Sequence, residues 1–146
     1  MEVKLGTPQH GWVDLSIIDG KFTLEDSISD VPFDFVDRIA VGITKLLDVG
    51  GEHQAVLGLE PNYYVLTFAE FEDAFSFKME LEFEFPKPVG SGVLHHAKGS
   101  FDEILLPFVH ALQRFYNIPA DESHWPACDP NNMERLVNAS NTYKAK

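Results

Sequence analysis

The sequence predicts an α+β fold: an antiparallel meander sheet of five to six strands, two main helices packed on one face, and a weak C-terminal helix, within a single domain spanning residues 1–146. Three observations carry this. From Ala74 to Phe85, Phe75, Phe77, Met79, Leu81, Phe83 and Phe85 alternate with Ser76, Lys78, Glu80, Glu82 and Glu84. Successive side chains on a strand point to opposite faces, so this segment has a dry face and a wet, acidic one. Two similar segments precede it with only turn residues between, and consecutive strands joined by short turns are antiparallel. Finally, two stretches carry apolar residues at helical spacing, and helices gathered on one side of an antiparallel sheet make a two-layer α+β domain.

Taken in order, Trp12 to Ile18 is rich in β-branched and aromatic residues, and Asp19-Gly20 is a hairpin turn signal before a second strand, Lys21 to Ile28. Trp12 is expected in the core by its place in the strand; Trp125 is left open. Asp30-Val-Pro32 breaks the chain. Phe33 to Leu47 has apolar residues at 33, 36, 39, 40, 43, 46 and 47, one helix face. Asp34 and Asp37 suit the positive end of its dipole, and Gly50-Gly51 ends it. Gln54 to Leu59, Tyr63 to Phe71 and Phe75 to Phe85 follow as strands, with Glu60-Pro-Asn62 and Glu72-Asp73 as turns. Residues 86–92 form a loop, and Val93 to Ala97 is a short sixth strand. Ser100 with Glu103 matches a capping box at the head of a helix whose apolar stripe runs from Phe101 to Phe115, with a kink or restart at Pro107. Asp129-Pro130 starts a last helix burying Met133, Leu136 and Val137; its asparagines weaken it.

Charge is unevenly distributed. The net charge is −12, and residues 1–84 carry all of it, with 17 acids against 5 bases. A basic stripe for phosphates is absent, which disfavours nucleic acid. There is no apolar run long enough for a membrane span and no signal-peptide pattern at the N-terminus. Cys128 is the single cysteine, so no internal disulfide can form and a reducing cytoplasm is the expected location.

No catalytic or cofactor motif stands out, so a non-enzymatic protein without cofactor or metal is expected. None of the histidines at 10, 53, 95, 96, 110 and 124 has a helical i,i+4 partner, and His95 and His96 should point to opposite faces of one strand. His124 and Cys128 lie four residues apart in an irregular segment, a spacing that supplies no nucleophile–base geometry. Gly90-Ser-Gly92 is too short for a phosphate loop and lacks the lysine that follows one. The acids Glu80, Glu82 and Glu84 share one strand face about 7 Å apart at each step. With Glu70, Glu72 and Asp73 on the preceding strand and turn, they form the expected partner-binding patch, suited to a basic protein.

The segments Gly11-Trp-Val-Asp-Leu-Ser-Ile17 and Leu59-Glu-Pro-Asn-Tyr-Tyr64, the helix start Phe101-Asp-Glu-Ile-Leu, and the later Trp125 occur in that order. In this the chain resembles small, mostly uncharacterised bacterial cytoplasmic α+β proteins of the toxin-immunity type. The resemblance implies an immunity or inhibitor protein that occludes a basic toxin surface. A second reading is a small-molecule-binding or weakly catalytic protein with a pocket between sheet and helices near Tyr63, Tyr64, His95 and Trp125. A third is a homodimer or structural subunit formed through an edge strand, at 93–97 or 12–18.

Overall fold

The computed structural model describes residues 1–83, 92–119 and 121–146. It is α+β, with one seven-stranded antiparallel sheet whose spatial order follows the chain, a pure meander. The strands are β1 (Glu2–Leu5), β2 (Trp12–Asp19), β3 (Phe22–Ser29), β4 (Glu52–Gly58), β5 (Tyr63–Phe71), β6 (Ala74–Glu82) and β7 (Gly92–Gly99). The helices are α1 (Phe35–Val49), α2 (Phe101–Ile104), α3 (Leu106–Tyr116) and α4 (Pro130–Lys144). The sheet thus has one strand more than the larger number expected. The addition is β1, four residues that pair with β2 from Glu2↔Ile18 to Leu5↔Leu15 and are too short to show an alternation of their own.

The face parity of the central strands is as the sequence predicts. Phe75, Phe77 and Met79 on β6 and Leu66 and Phe68 on β5 are buried on the helix side, whereas Lys78 and Glu80 lie on the other face. Phe108 of α3 meets Phe68 and Phe77 edge-on, with ring centroids 5.0 and 5.7 Å apart. On β2 the buried set is Val13, Leu15 and Ile17, so Trp12 falls on the outer face and is 36% exposed, contrary to the expectation that it anchors the core. Its position inside a strand was informative; its parity within that strand decides the matter. Trp125 is a core residue, 5% exposed and edge-on to Phe35 and Phe115.

Helix α1 begins at Phe35, two residues later than the apolar spacing suggests. The Asp34 carboxylate accepts hydrogen bonds from the Val36 and Asp37 amides, which makes Asp34 the N-cap. Phe33 is therefore outside the helix and 45% exposed, beneath the Arg38 guanidinium, while Phe35 takes the buried position. The second helix divides as expected: α2 has a complete capping box between Ser100 and Glu103, and α3 restarts after Leu105 with Pro107 in its first turn. Asp129 caps α4 with Pro130 as the first helical residue. Leu136, Ala139 and Ser140 are buried on α4, with Met133 and Val137 half-buried.

The sheet is not evenly joined. β2 and β3 pair along their whole length, as do β4 and β5, but β3 and β4 share a single residue pair, Ser29↔Gly58. Below that rung the two parts of the sheet separate and their inner faces turn toward each other. The Tyr64 hydroxyl donates to Asp26 at 2.7 Å, His95 Nε2 lies 2.8 Å from Asp19, and the His95 ring stacks on Phe22 at 4.2 Å. The tip of the β2–β3 hairpin thus covers the inner face of β5–β7 beyond the reach of the helices. At the rung, a Cβ on Gly58 would overlap the Val31 carbonyl oxygen.

Two consequences can be measured. Gly58→Ala should destabilise the protein by about 3 kcal/mol or more, since the obstacle is backbone and cannot rotate away. By contrast Gly42→Ala in α1, where the new methyl meets only the His53 Cβ at 3.7 Å, should be neutral or stabilising by up to about 1 kcal/mol. Urea denaturation of both variants tests the pair, and equal stabilities would refute the close approach. In the β5–β6 turn, Glu72 and Asp73 both have positive φ, 49° and 64°. Such a two-residue turn favours Asn-Gly, so Glu72→Asn with Asp73→Gly should raise stability by roughly 1 kcal/mol, seen as a higher denaturation midpoint.

Candidate functional site

The acids singled out in the sequence are placed by strand parity and by distance along the hairpin. Glu80 and Glu82 lie on the outer face of β6; Glu80 forms an ion pair with Lys78 at 3.3 Å. Glu84 lies outside the described residues. Glu70 pairs with Phe75 and so shares the helix-side parity of β5, with its carboxylate beside Gly50 at the end of α1. Glu72 and Asp73 form the turn at the opposite end of β6, about 23 Å from Glu80 at strand rise. The structure does not gather these acids into one patch. Glu80 and Glu82 instead belong to a wider surface.

That surface is the outer face of the sheet, opposite the buried side chains. It carries Glu2, Asp14, Glu25, Glu52, Glu80 and Glu82 against Lys4, Lys78 and Lys98. Sequence reasoning missed Glu2, Asp14, Glu25 and Glu52 because each is the single acid on the outer side of its strand. The register Glu52↔Ala69 puts Glu52 on the same face as the β6 acids, while Glu2↔Ile18 and Ser16↔Glu25 gather Glu2, Asp14 and Glu25 on the outer side of β1–β3, which the divergence below the Ser29↔Gly58 rung turns away from β5–β7. Tyr63, Val65 and Thr67 pave the middle of this face on β5.

The residues expected to frame a pocket between sheet and helices are dispersed. Tyr63 is on the outer face; Tyr64 and His95 are used in bonds to Asp26 and Asp19. His96 is exposed on the opposite face from His95, as strand parity requires. Trp125 walls a different opening, a cleft of about 320 Å³ between the end of α3, the β1–β2 loop and the connection to α4. Its lining includes Pro8, Phe115, Tyr116, Ile118, His124 and Cys128.

A polar cluster lies behind this cleft at the start of α1. Asp37 Oδ1 accepts from the Tyr116 hydroxyl and from the Asn132 amide, both at 2.7 Å. Cys128 Sγ is 4.0 Å from Asp34. The Trp125 indole N–H is buried and makes no hydrogen bond of ordinary geometry among the described residues. Burial raises the Asp34 carboxyl above its usual range, with Asp37 adding repulsion against the pull of the capping amides. Burial and the neighbouring carboxylate of Asp37 likewise push up the Tyr116 hydroxyl. The Cys128 thiol is pushed up to about 12 by burial and by both aspartates. A thiol so held is little ionised at neutral pH.

Among the described residues no group of three or more His, Cys, Asp and Glu gathers to hold a metal ion, and no helix is long and apolar enough to cross a membrane. Of the two strands suggested for pairing between chains, β7 is an edge of the sheet, whereas 12–18 lies in β2 and is already flanked by β1 and β3. Compared with known proteins, the chain matches no protein family, no curated protein and no solved structure.

The site chemistry leads to two expectations. Cys128 should react with a disulfide reagent at pH 8 roughly a hundred-fold more slowly than a free thiol, and denaturant should restore the ordinary rate. Asp34 has a folded pKa above its unfolded value, so its contribution to stability is present below the unfolded pKa and lost as pH rises through the folded one. Asp34→Asn keeps the cap and removes the buried charge. It should therefore be more stable than the parent at pH 7, with the difference vanishing at pH 3; urea melts at the two pH values decide this.

Proposed function

We propose that the chain is a non-enzymatic binding protein that uses the outer face of its sheet to cover a basic surface on a protein partner, as an inhibitor or immunity protein does by occlusion. The observation that supports this is the outer side of the sheet: Glu52, Glu80 and Glu82 against Lys78 and Lys98 on β4–β7, and Glu2, Asp14 and Glu25 against Lys4 on β1–β3, all away from the buried core. Acids repelling one another across a face are relieved when an opposing basic surface docks, and the same field speeds encounter. Tyr63 and Val65 provide apolar contact in the middle of the field, where docking energy concentrates. The upward shift of the Cys128 thiol and the engagement of Tyr64 and His95 in bonds to Asp26 and Asp19 are consistent with a binding role.

The test is a tagged pull-down from native lysate at low and high salt, with Glu25→Lys/Glu80→Lys alongside, one reversal on each part of the sheet. A basic protein retained at low salt, released at high salt, and held roughly ten-fold less well by the variant is the expected result. A partner held equally by the variant would remove the outer face from the interface, and an empty pull-down would count against a protein partner altogether.

A further inference from the structure

The cleft at the end of α3 is independent of the outer sheet face, and its chemistry selects a ligand of its own. Its walls are largely apolar: Phe115, Ile118 and Trp125 with Pro8, Pro119 and Pro126. No lysine or arginine lines it. At about 320 Å³ it lies at the small end of ligand pockets, the size of a single-ring molecule with a short side chain.

The polar atoms that meet this space have defined roles. The Tyr116 hydroxyl gives its proton to Asp37, so toward the cleft it can only accept. His124 Nδ1 accepts from the His10 amide at 3.0 Å, which places the proton of the neutral ring on Nε2, on the side of Asp121 at 3.8 Å. Asp121 at the rim is held ionised by the hydroxyl and amide of Ser123. Behind the floor stand Asp34, beside Cys128, and Asp37, beside Tyr116. An anion entering here would meet three carboxylates and no compensating base. A neutral apolar molecule would fill the walls and leave the field of the acids unanswered.

We propose that this cleft binds a small organic cation with an apolar body, of the class of single-ring aromatic amines, its ring between Trp125, Ile118 and the prolines and its ammonium at the Tyr116 oxygen, within the field of Asp34 and Asp37 behind the floor. The match is one of charge as well as shape: the site combines aromatic and proline walls with acids behind its floor and at its rim, and an ammonium near aromatic faces gains further from their quadrupoles. This site stands apart from the sheet-face interface, and neither depends on the other.

The test is an NMR titration of the ¹⁵N-labelled full chain with phenethylamine, and with 2-phenylethanol and 3-phenylpropionate as its neutral and anionic counterparts. Saturable shifts of the Trp125 indole and of the Ile118 and Cys128 amides are expected with phenethylamine. Affinity should be about five-fold or more above that for the alcohol, and the carboxylate should leave these signals unmoved. Asp34→Asn, which retains a good helix cap, should lower the amine's affinity at least about two-fold without changing that of the alcohol. Ala127→Trp, which fills the mouth from an exposed position, should abolish the shifts with every probe. Absence of shifts with phenethylamine would overturn the site. Equal binding of the carboxylate, or an amine affinity untouched by Asp34→Asn, would overturn the ligand class.

Discussion

One residue-to-residue approach governs the architecture: the Gly58 backbone lies against the Val31 carbonyl, at the only rung between β3 and β4. A side chain at 58 would push the chains apart there. Because the rung is single, the two parts of the sheet can diverge below it and fold toward each other. The hairpin tip then reaches His95, on whose ring Phe22 stacks, and the bonds Tyr64–Asp26 and His95–Asp19 join strands that are not neighbours in the sheet. The helices need to cover only what the hairpin leaves open. A regular sheet with β3 and β4 fully paired would hold those groups apart and would leave the inner ends of β5–β7 wet.

What the sequence made legible was whatever depends on near neighbours. The alternation of β6, the two-residue turn at Glu72-Asp73, the capping box at Ser100 and the restart at Pro107 are local events, governed by backbone geometry within a few residues. The same locality explains the failures. Phe33 and Phe35 are both apolar, and only the bonds made by Asp34 decide which enters the helix. Trp12 has the composition of a core residue and the wrong parity. β1 is too brief to announce itself, although its pairing extends the outer face by Glu2 and Lys4.

The candidate surfaces show the same division. Parity correctly puts Glu80 and Glu82 on a wet face, but proximity in sequence is a poor guide to proximity in a hairpin. The turn at 72–73 is close to β6 in the chain and a strand's length from Glu80 in space. Conversely, Glu52 shares the face with Glu80 through pairing registers that no periodicity contains. The cleft was invisible for a further reason: its walls come from the β1–β2 loop, the last turn of α3 and an irregular connection, segments with no repeat to detect.

The meander has a bearing on how the chain acquires its shape. Every strand hydrogen-bonds to the one just before it, so each finds its partner already laid down in the chain, although β4 follows β3 only after α1. The exceptions concentrate in the last third. Arg114 reaches back to the Val3 carbonyl, and the Gly11 amide donates to the His124 carbonyl, closing spans of more than a hundred residues. Closure of the fold thus depends on segments far apart in the chain: β1 and the β1–β2 loop are held by α3 and by His124 beyond it.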